Sequence, residues 1–182
     1  MKNPSLIFFA TLAFAFSSCK DSSKQSEPEV VTVDNTESET KVYEIAKSEV
    51  EFNDPKVETV FNQYLQVEAA LVNTDAVKTA SEAAKLEGLL KEMNTDEETQ
   101  TAVGAMASSE DIGVQRQNFE TLSKGMETML NGTLKSGTLY KQYCPMAFNN
   151  KGAYWISSSR DILNPYFGDK MLKCGRVDAE IK

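Results

Sequence analysis

The apolar residues that follow Asp54-Pro55 recur at intervals of three and four positions. This spacing places them on one face of a helix. They are Val57, Val60, Phe61, Tyr64, Val67 and Leu71. Aspartate is a favourable N-cap, and proline is tolerated in the first helical turn, so the helix is predicted to begin at this pair. The polar stretch 73–75 then ends it, and Asp75 can cap the next helix.

The same periodicity continues in three further segments. A second helix is predicted from Asp75 to about Met93. A Thr95-to-Glu98 capping box predicts a third, weaker helix. A fourth is predicted from near Ser109 or Asp111 up to Asn131-Gly132. The connections are short, which favours antiparallel neighbours and an up-down bundle of three to four helices.

Helical periodicity is lost after Gly137. Aromatic residues, glycines and asparagines dominate the remainder. Short strands are predicted near 138–143 and 153–157, with a turn at 149–152 and irregular chain around 164–168. The predicted fold class is therefore mainly α: an up-down antiparallel bundle followed by a small irregular C-terminal lobe with short β-strands.

The N-terminus is typical of an exported protein. A positive residue, Lys2, precedes the apolar run from Leu6 to Phe16, which is too short to span a bilayer. Small residues and Cys19 follow, and the pattern resembles the bacterial lipobox. We expect residues 1–18 to be a lipoprotein signal peptide and Cys19 to be the lipidated residue. Ordinary cleavage that leaves Cys19 as a free thiol is the alternative.

Three regions follow from this organisation. Residues 19–52 are predicted to be the lipidated cysteine and a flexible acidic tether, because apolar residues there are sparse. Residues 53–182 are predicted to be a single domain. It divides into the helical bundle, 53–132, and a C-terminal lobe rich in Cys, Met and aromatic residues, 133–182.

Charge and composition exclude several functions. The chain has 27 acidic and 19 basic residues and a net charge of −8. Without clustered Lys and Arg, nucleic acid is not an expected partner. The sequence has no His, which removes Ser–His and Cys–His catalysis and makes a zinc hydrolase a poor fit. We therefore do not expect an enzyme.

The candidate site lies in the C-terminal lobe. Two sulfur-bearing pairs occur in mirrored order, Cys144-Pro145-Met146 and Met171-Leu172-Lys173-Cys174. Thiolates and thioethers are soft ligands that select Cu(I). Cys144, Met146, Met171 and Cys174 are therefore candidate metal ligands, and copper (Cu⁺) is the candidate cofactor.

Other interpretations of these residues stay open. Once Cys19 is assigned to lipid, Cys144 and Cys174 are the remaining cysteines, and an oxidising compartment favours a disulfide between them. They could also be two unrelated buried thiols. Met146 and Met171 could simply fill gaps beside aromatic residues.

The C-terminal motifs carry a family resemblance. The segments 143–147, 152–155, 164–172 and 174–175 read YCPMA, GAYW, NPYFGDKML and CG. Together with the helical pattern they resemble domain-of-unknown-function family 3347, over roughly residues 55–178. The resemblance implies an exported domain that is also found appended to adaptor subunits of copper/silver-type efflux pumps. By position it adds Trp155, Asn164 and Tyr166 as supporting residues.

Two functional hypotheses remain. In the first, the chain is an envelope lipoprotein, anchored by lipid to the outer membrane on its periplasmic or surface face. It binds Cu(I) in heavy-metal homeostasis or efflux and passes it to an efflux adaptor or another envelope protein. In the second, it is a structural or interaction lipoprotein whose C-terminal lobe is stapled by a Cys144–Cys174 disulfide.

Overall fold

The computed structural model describes residues 42–45 and 49–182. Four long helices are followed by a small β-lobe. The helices are α1 (Pro55–Val72), α2 (Ala76–Glu92), α3 (Glu97–Ala107) and α4 (Ile112–Leu130). The strands are β1 (Glu51–Phe52), β2 (Leu134–Ser136), β3 (Leu139–Cys144), β4 (Ala153–Ser157) and β5 (Arg176–Ile181). The predicted fold class is confirmed, and the described part of the chain has four bundle helices.

Each long helix begins at an aspartate whose side chain accepts main-chain N–H groups of the first turn. These N-caps are Asp54, Asp75, Asp96 and Asp111. The N-cap of α3 is Asp96, which corrects the predicted capping box, in which Thr95 was the N-cap. The Asp96 side chain accepts the Thr99 N–H at 2.9 Å and the Thr99 hydroxyl at 2.6 Å. The Thr95 hydroxyl instead donates to the last turn of α2, at Leu90.

Successive helices pack against each other, and α1 also contacts α4, which closes the bundle. Its core is apolar and aromatic. The largest fully buried side chains are Trp155, Tyr64, Phe61, Phe119, Leu71, Leu86, Leu90, Met106, Leu122, Met126, Leu130 and Leu139. Tyr64 stacks on Phe119 with ring centroids 5.2 Å apart. Trp155 and Leu139 come from the β-lobe, so bundle and lobe share one core.

The strands form two antiparallel sheets. β1 pairs with β2, and the second sheet has the order β4-β3-β5. The predicted strands near 138–143 and 153–157 are confirmed as β3 and β4, with Cys144 opposite Ala153. α4 packs against β4, and the Tyr64 hydroxyl accepts the Ile156 N–H at 3.2 Å. The lobe is thereby fixed to the bundle.

Ordered structure begins before the predicted boundary at residue 53. Val50 and Phe52 are each 8% exposed and belong to the core. Glu51 and Phe52 form β1, which lies along β2. Farther back, the Tyr43 N–H donates to Asn73 Oδ1 at 2.8 Å, and Asn73 Nδ2 donates to the Tyr43 carbonyl at 2.8 Å. The last part of the predicted tether therefore docks on the bundle.

Replacing Asn73 with alanine is expected to release residues 42–45 from α1. Asn73 makes both hydrogen bonds to Tyr43, and its loss leaves this short segment without them. Limited proteolysis should show faster cleavage near Tyr43, with a change in global stability of about 1 kcal/mol. The control is Asn118→Ala, whose side chain donates only to its own helix at Val114. Unchanged cleavage in Asn73→Ala would contradict docking through this side chain.

The predicted signal peptide and Cys19 lie outside the described residues. Within residues 42–45 and 49–182, no helix combines the length and apolar character needed to cross a membrane.

Candidate functional site

Cys144 and Cys174 are brought together from positions thirty residues apart, with their Sγ atoms 3.3 Å from each other. Cys144 ends β3 and is fully buried, whereas Cys174 is partly buried and follows a 3-10 turn at Gly168–Met171. Both are free thiols. The structure therefore places these two candidate residues next to each other as free thiols.

The distance between the sulfur atoms has a chemical meaning. A disulfide bond is about 2.05 Å long. Two thiolates that share a tetrahedral ion at about 2.3 Å each lie roughly 3.8 Å apart. The observed 3.3 Å falls between these values. Small side-chain movements would therefore bring the sulfurs to the distance at which an oxidant, taking two electrons as two protons leave, can join them, or would open a two-sulfur site.

The surroundings raise the pKa of the Cys174 thiol. Burial is the largest cause, followed by the neighbouring Cys144 thiol, while the main-chain N–H of Met146 acts in the opposite direction. A raised pKa means that Cys174 is protonated at neutral pH. An electrophile or a metal ion must therefore displace a proton before the sulfur can react or bind.

The two predicted methionine ligands are placed differently from the thiols. Met146 has 45% of its surface exposed, and its main-chain N–H lowers the pKa of the Cys174 thiol. Met171 is half-buried, and its carbonyl accepts the Cys174 N–H at 2.9 Å. Met171 thus holds Cys174 through a main-chain atom. In the part of the chain that the structure describes, no group of three or more His, Cys, Asp or Glu side chains is placed to hold a metal ion.

Asn164 fixes the position of Cys174. This side chain is completely buried. Its Nδ2 donates to the Cys174 carbonyl at 2.6 Å. Its Oδ1 accepts the N–H groups of Tyr166 at 2.8 Å and Phe167 at 3.1 Å. One side chain therefore ties the turn 164–168 to the second cysteine, which gives this predicted supporting residue a structural role.

Trp155 and Tyr166 pack against each other, and Trp155 also lies against the residue that follows Cys174. Their rings meet edge-to-face with centroids 5.9 Å apart. The Tyr166 hydroxyl donates to the Tyr154 carbonyl. A Cβ added to Gly175 would lie 3.0 Å from Trp155 Cη2, so the residue after Cys174 rests directly on the indole. Both aromatic residues belong to the core, and the cation–π contacts of the described residues lie on other rings.

The loop after Met146 has an uncommon backbone. Phe148, Asn149 and Asn150 have φ of 51°, 57° and 67°, which makes a single left-handed turn of non-glycine residues. The left-handed conformation costs about 1–2 kcal/mol for each L-residue. Gly152, also left-handed, lies against the Tyr143 ring, where any Cβ would overlap it. The exposed Met146 side chain lies two residues before this strained turn.

Sequence reasoning missed two residues that build the site. Arg116 of α4 donates through Nε to the Pro165 carbonyl at 2.9 Å and through Nη2 to Thr74 Oγ1 at 3.1 Å. Glu68 of α1 is buried beside Trp155. The signal for Glu68 was present, because it lies four residues after Tyr64 and three before Leu71, on the apolar stripe. Arg116 gave no such signal, because an arginine on a helix is ordinarily exposed to solvent.

The comparisons with known proteins agree with the sequence resemblance. Residues 60–137 match a family described as protein of unknown function (DUF3347). The match begins within α1 and ends after β2, so it covers the bundle but not the two thiols. No curated protein and no solved structure matches the chain. Residues 60–137, which include most of the bundle, are therefore similar to the DUF3347 family.

Proposed function

We propose that this protein is a lipid-anchored lipoprotein of the cell envelope that binds a soft metal ion, Cu(I), through Cys144 and Cys174. The observation that carries the proposal is the 3.3 Å separation of two free thiols. Sulfur ligands of this kind favour Cu(I) over harder ions. A role in heavy-metal homeostasis or efflux follows from the choice of ion, with an efflux adaptor or another envelope protein as the partner.

The donor set at the pair fits a soft ion better than zinc. Two thiolates supply two ligands, and the chain has no His to complete a zinc site. Met146 follows Cys144 by two positions, and its exposed side chain is free of core packing. It is the better placed of the two thioethers to supply a third sulfur. Met171 contributes mainly by shaping the turn that presents Cys174.

Catalysis is not part of the proposal. A nucleophilic cysteine needs a lowered pKa or an adjacent base. Here burial and Cys144 raise the pKa of Cys174, and a histidine base is absent from the sequence.

A Cys144–Cys174 disulfide is the second candidate, and the same short sulfur separation favours it. A bridge across 30 residues would stabilise the lobe by about 3–4 kcal/mol in the chain-entropy model. The protein would then be a structural or interaction lipoprotein. The two states exclude each other at any moment, since a disulfide removes both thiolates.

Anaerobic Cu(I) titration of reduced residues 20–182, in competition with a chromophoric chelator, tests the proposal. We expect one tightly bound ion per chain. Cys144→Ser should abolish tight binding, because a single thiolate then remains. Met146→Leu should weaken it by about tenfold, equivalent to roughly 1.4 kcal/mol. Met129→Leu, in α4, is the matched control and should bind normally.

Free-thiol counting on protein purified without reductant separates the two candidates. A stable disulfide, combined with no tight Cu(I) binding after reduction, would overturn the metal proposal in favour of a structural Cys144–Cys174 disulfide.

A further inference from the structure

Glu68 is a carboxylic acid inside the core. It lies on α1 with 1% of its surface exposed. Among the described residues, its Oε2 has no hydrogen-bond partner. Burial raises its pKa well above the ordinary value, and the nearby Trp155 indole lowers it by a smaller amount. Buried, unpaired carboxyl groups are costly, so the position invites a functional explanation.

Trp155 carries the matching unpaired donor. Its indole is fully buried, and within the described residues Nε1 has no hydrogen-bond acceptor. The indole N–H acts on the Glu68 carboxyl as a weak donor and lowers its pKa, although the two groups fall outside full hydrogen-bond geometry. Ionised carboxylates make stronger hydrogen bonds to N–H donors than neutral carboxyls do. Loss of the Glu68 proton would therefore draw the indole N–H towards the carboxylate.

The other end of the indole touches the thiol site. Its six-membered ring lies against Gly175, where an added Cβ would be 3.0 Å from Trp155 Cη2. Gly175 directly follows Cys174, whose carbonyl is held by Asn164 at 2.6 Å. A rotation of the indole therefore acts on the peptide group that joins Cys174 to Gly175, whose carbonyl Asn164 holds.

The remaining groups around Glu68 are neutral or already paired. On α1 and α4, the Tyr64 hydroxyl bonds to the Ser123 hydroxyl at 2.8 Å. From the 164–167 segment, the Tyr166 hydroxyl donates to the Tyr154 carbonyl. Burial raises the pKa of both phenols, so they stay protonated, and Glu120 of α4 acts on Tyr166. Glu120 is paired with Lys124 at 3.0 Å, so Glu68 is the buried carboxyl of this cluster that lacks an ionic partner.

We infer that Glu68 is a positioning residue for the thiol pair: the charge of its carboxyl sets where the Trp155 indole rests on Gly175, and thereby where Cys174 Sγ stands relative to Cys144. The inference rests on the thiol pair being the working site proposed above. It adds that occupancy of the pair is linked to a proton bound on a buried side chain of α1.

The chain contains a single tryptophan, which makes the coupling measurable. Intrinsic fluorescence of the reduced full chain follows Trp155 as pH rises. Alkylation by iodoacetamide, resolved by residue with mass spectrometry, follows Cys174 over the same range. We expect a fluorescence transition above the ordinary carboxyl range and a change of about tenfold in the Cys174 rate through the same transition.

Glu68→Gln keeps the shape of the side chain and removes the charge change. We expect it to abolish the fluorescence transition. The alkylation rate of Cys174 should then follow a single ionisation, that of the thiol itself, as pH rises. Folding that raises a carboxyl pKa favours the protonated form, so stability is greatest at low pH and falls as pH rises above the ordinary range. Glu68→Gln should remove this decline, which approaches tenfold per pH unit in the unfolding equilibrium constant. Glu58→Gln, an exposed change in the same helix, should behave as wild type.

Identical pH profiles in wild type and Glu68→Gln would overturn the inference. A fluorescence transition without any change in Cys174 reactivity would overturn it too, since the carboxyl would then act on the indole alone. If Glu68→Gln does not fold, Trp155→Phe provides the second test. It should remove from the pH dependence of Cys174 alkylation the step that is caused by Glu68. Failure of Cu(I) to bind, with the proton coupling intact, would overturn only the metal proposal.

Discussion

Replacing Asn164 with alanine is expected to lower the free energy of unfolding by about 3–5 kcal/mol and to separate the two thiols. The side chain is completely buried and makes three hydrogen bonds to main-chain groups. Alanine would leave the Tyr166 N–H buried without an acceptor, and the Cys174 carbonyl would lose its donor. Both the turn at 164–168 and the position of Cys174 depend on these bonds.

Two measurements check this expectation. Urea denaturation gives the loss of stability, with Asn118→Ala as a control that should cost less than about 1 kcal/mol. Equilibration with glutathione gives the tendency of Cys144 and Cys174 to form a disulfide, which should fall by roughly tenfold, or about 1.4 kcal/mol. Wild-type stability together with a wild-type thiol equilibrium would show that Asn164 does not hold the site.

Replacing Gly168 with alanine is expected to destabilise the protein by about 2–4 kcal/mol. The glycine has φ of +62°, and an added Cβ would lie 2.3 Å from Thr74 Oγ1 and 2.8 Å from the Val72 carbonyl oxygen. The carbonyl belongs to the end of α1 and cannot move aside easily. The turn that carries Cys174 must therefore withdraw from the bundle.

Gly88→Ala is the matched control for this substitution. Gly88 is exposed in the interior of α2, and an added Cβ would meet nothing within 4 Å. Alanine should stabilise the helix there by about 0.5–1 kcal/mol. Thermal unfolding of the two variants should give shifts of opposite sign. A Gly168→Ala protein as stable as wild type would contradict the tight packing against α1.

The bundle was predictable because its local signals agree. Apolar spacing of three and four residues marks α1, and an aspartate precedes each helix. The cap of α3 was misassigned because Thr95 and Asp96 are both good caps. Only the end of α2, where the Thr95 hydroxyl finds the Leu90 carbonyl, decides between them.

The missed strands show where sequence patterns fail. β1 and β2 contain two and three residues, too few to show alternation, and they pair across more than eighty positions. The pairing of Cys144 with Cys174 was predictable from counting thiols. The left-handed turn that follows Met146 was not predictable, because it includes Phe148, a residue type that rarely adopts this conformation. Glu68 was visible as a carboxylate on an apolar stripe, but its neighbour Trp155 comes from a distant strand.

The pairing of β1 with β2 has a consequence for how this unit can be used in evolution. Phe52 lies opposite Leu134, so the chain enters and leaves the four helices at the same place. A segment whose two ends lie side by side can be inserted into a host loop without pulling the host apart. The family match at 60–137 falls largely within this segment. The four helices therefore meet the geometric condition for insertion at their ends, whereas the core that they share with Leu139 and Trp155 ties them to the thiol-bearing lobe.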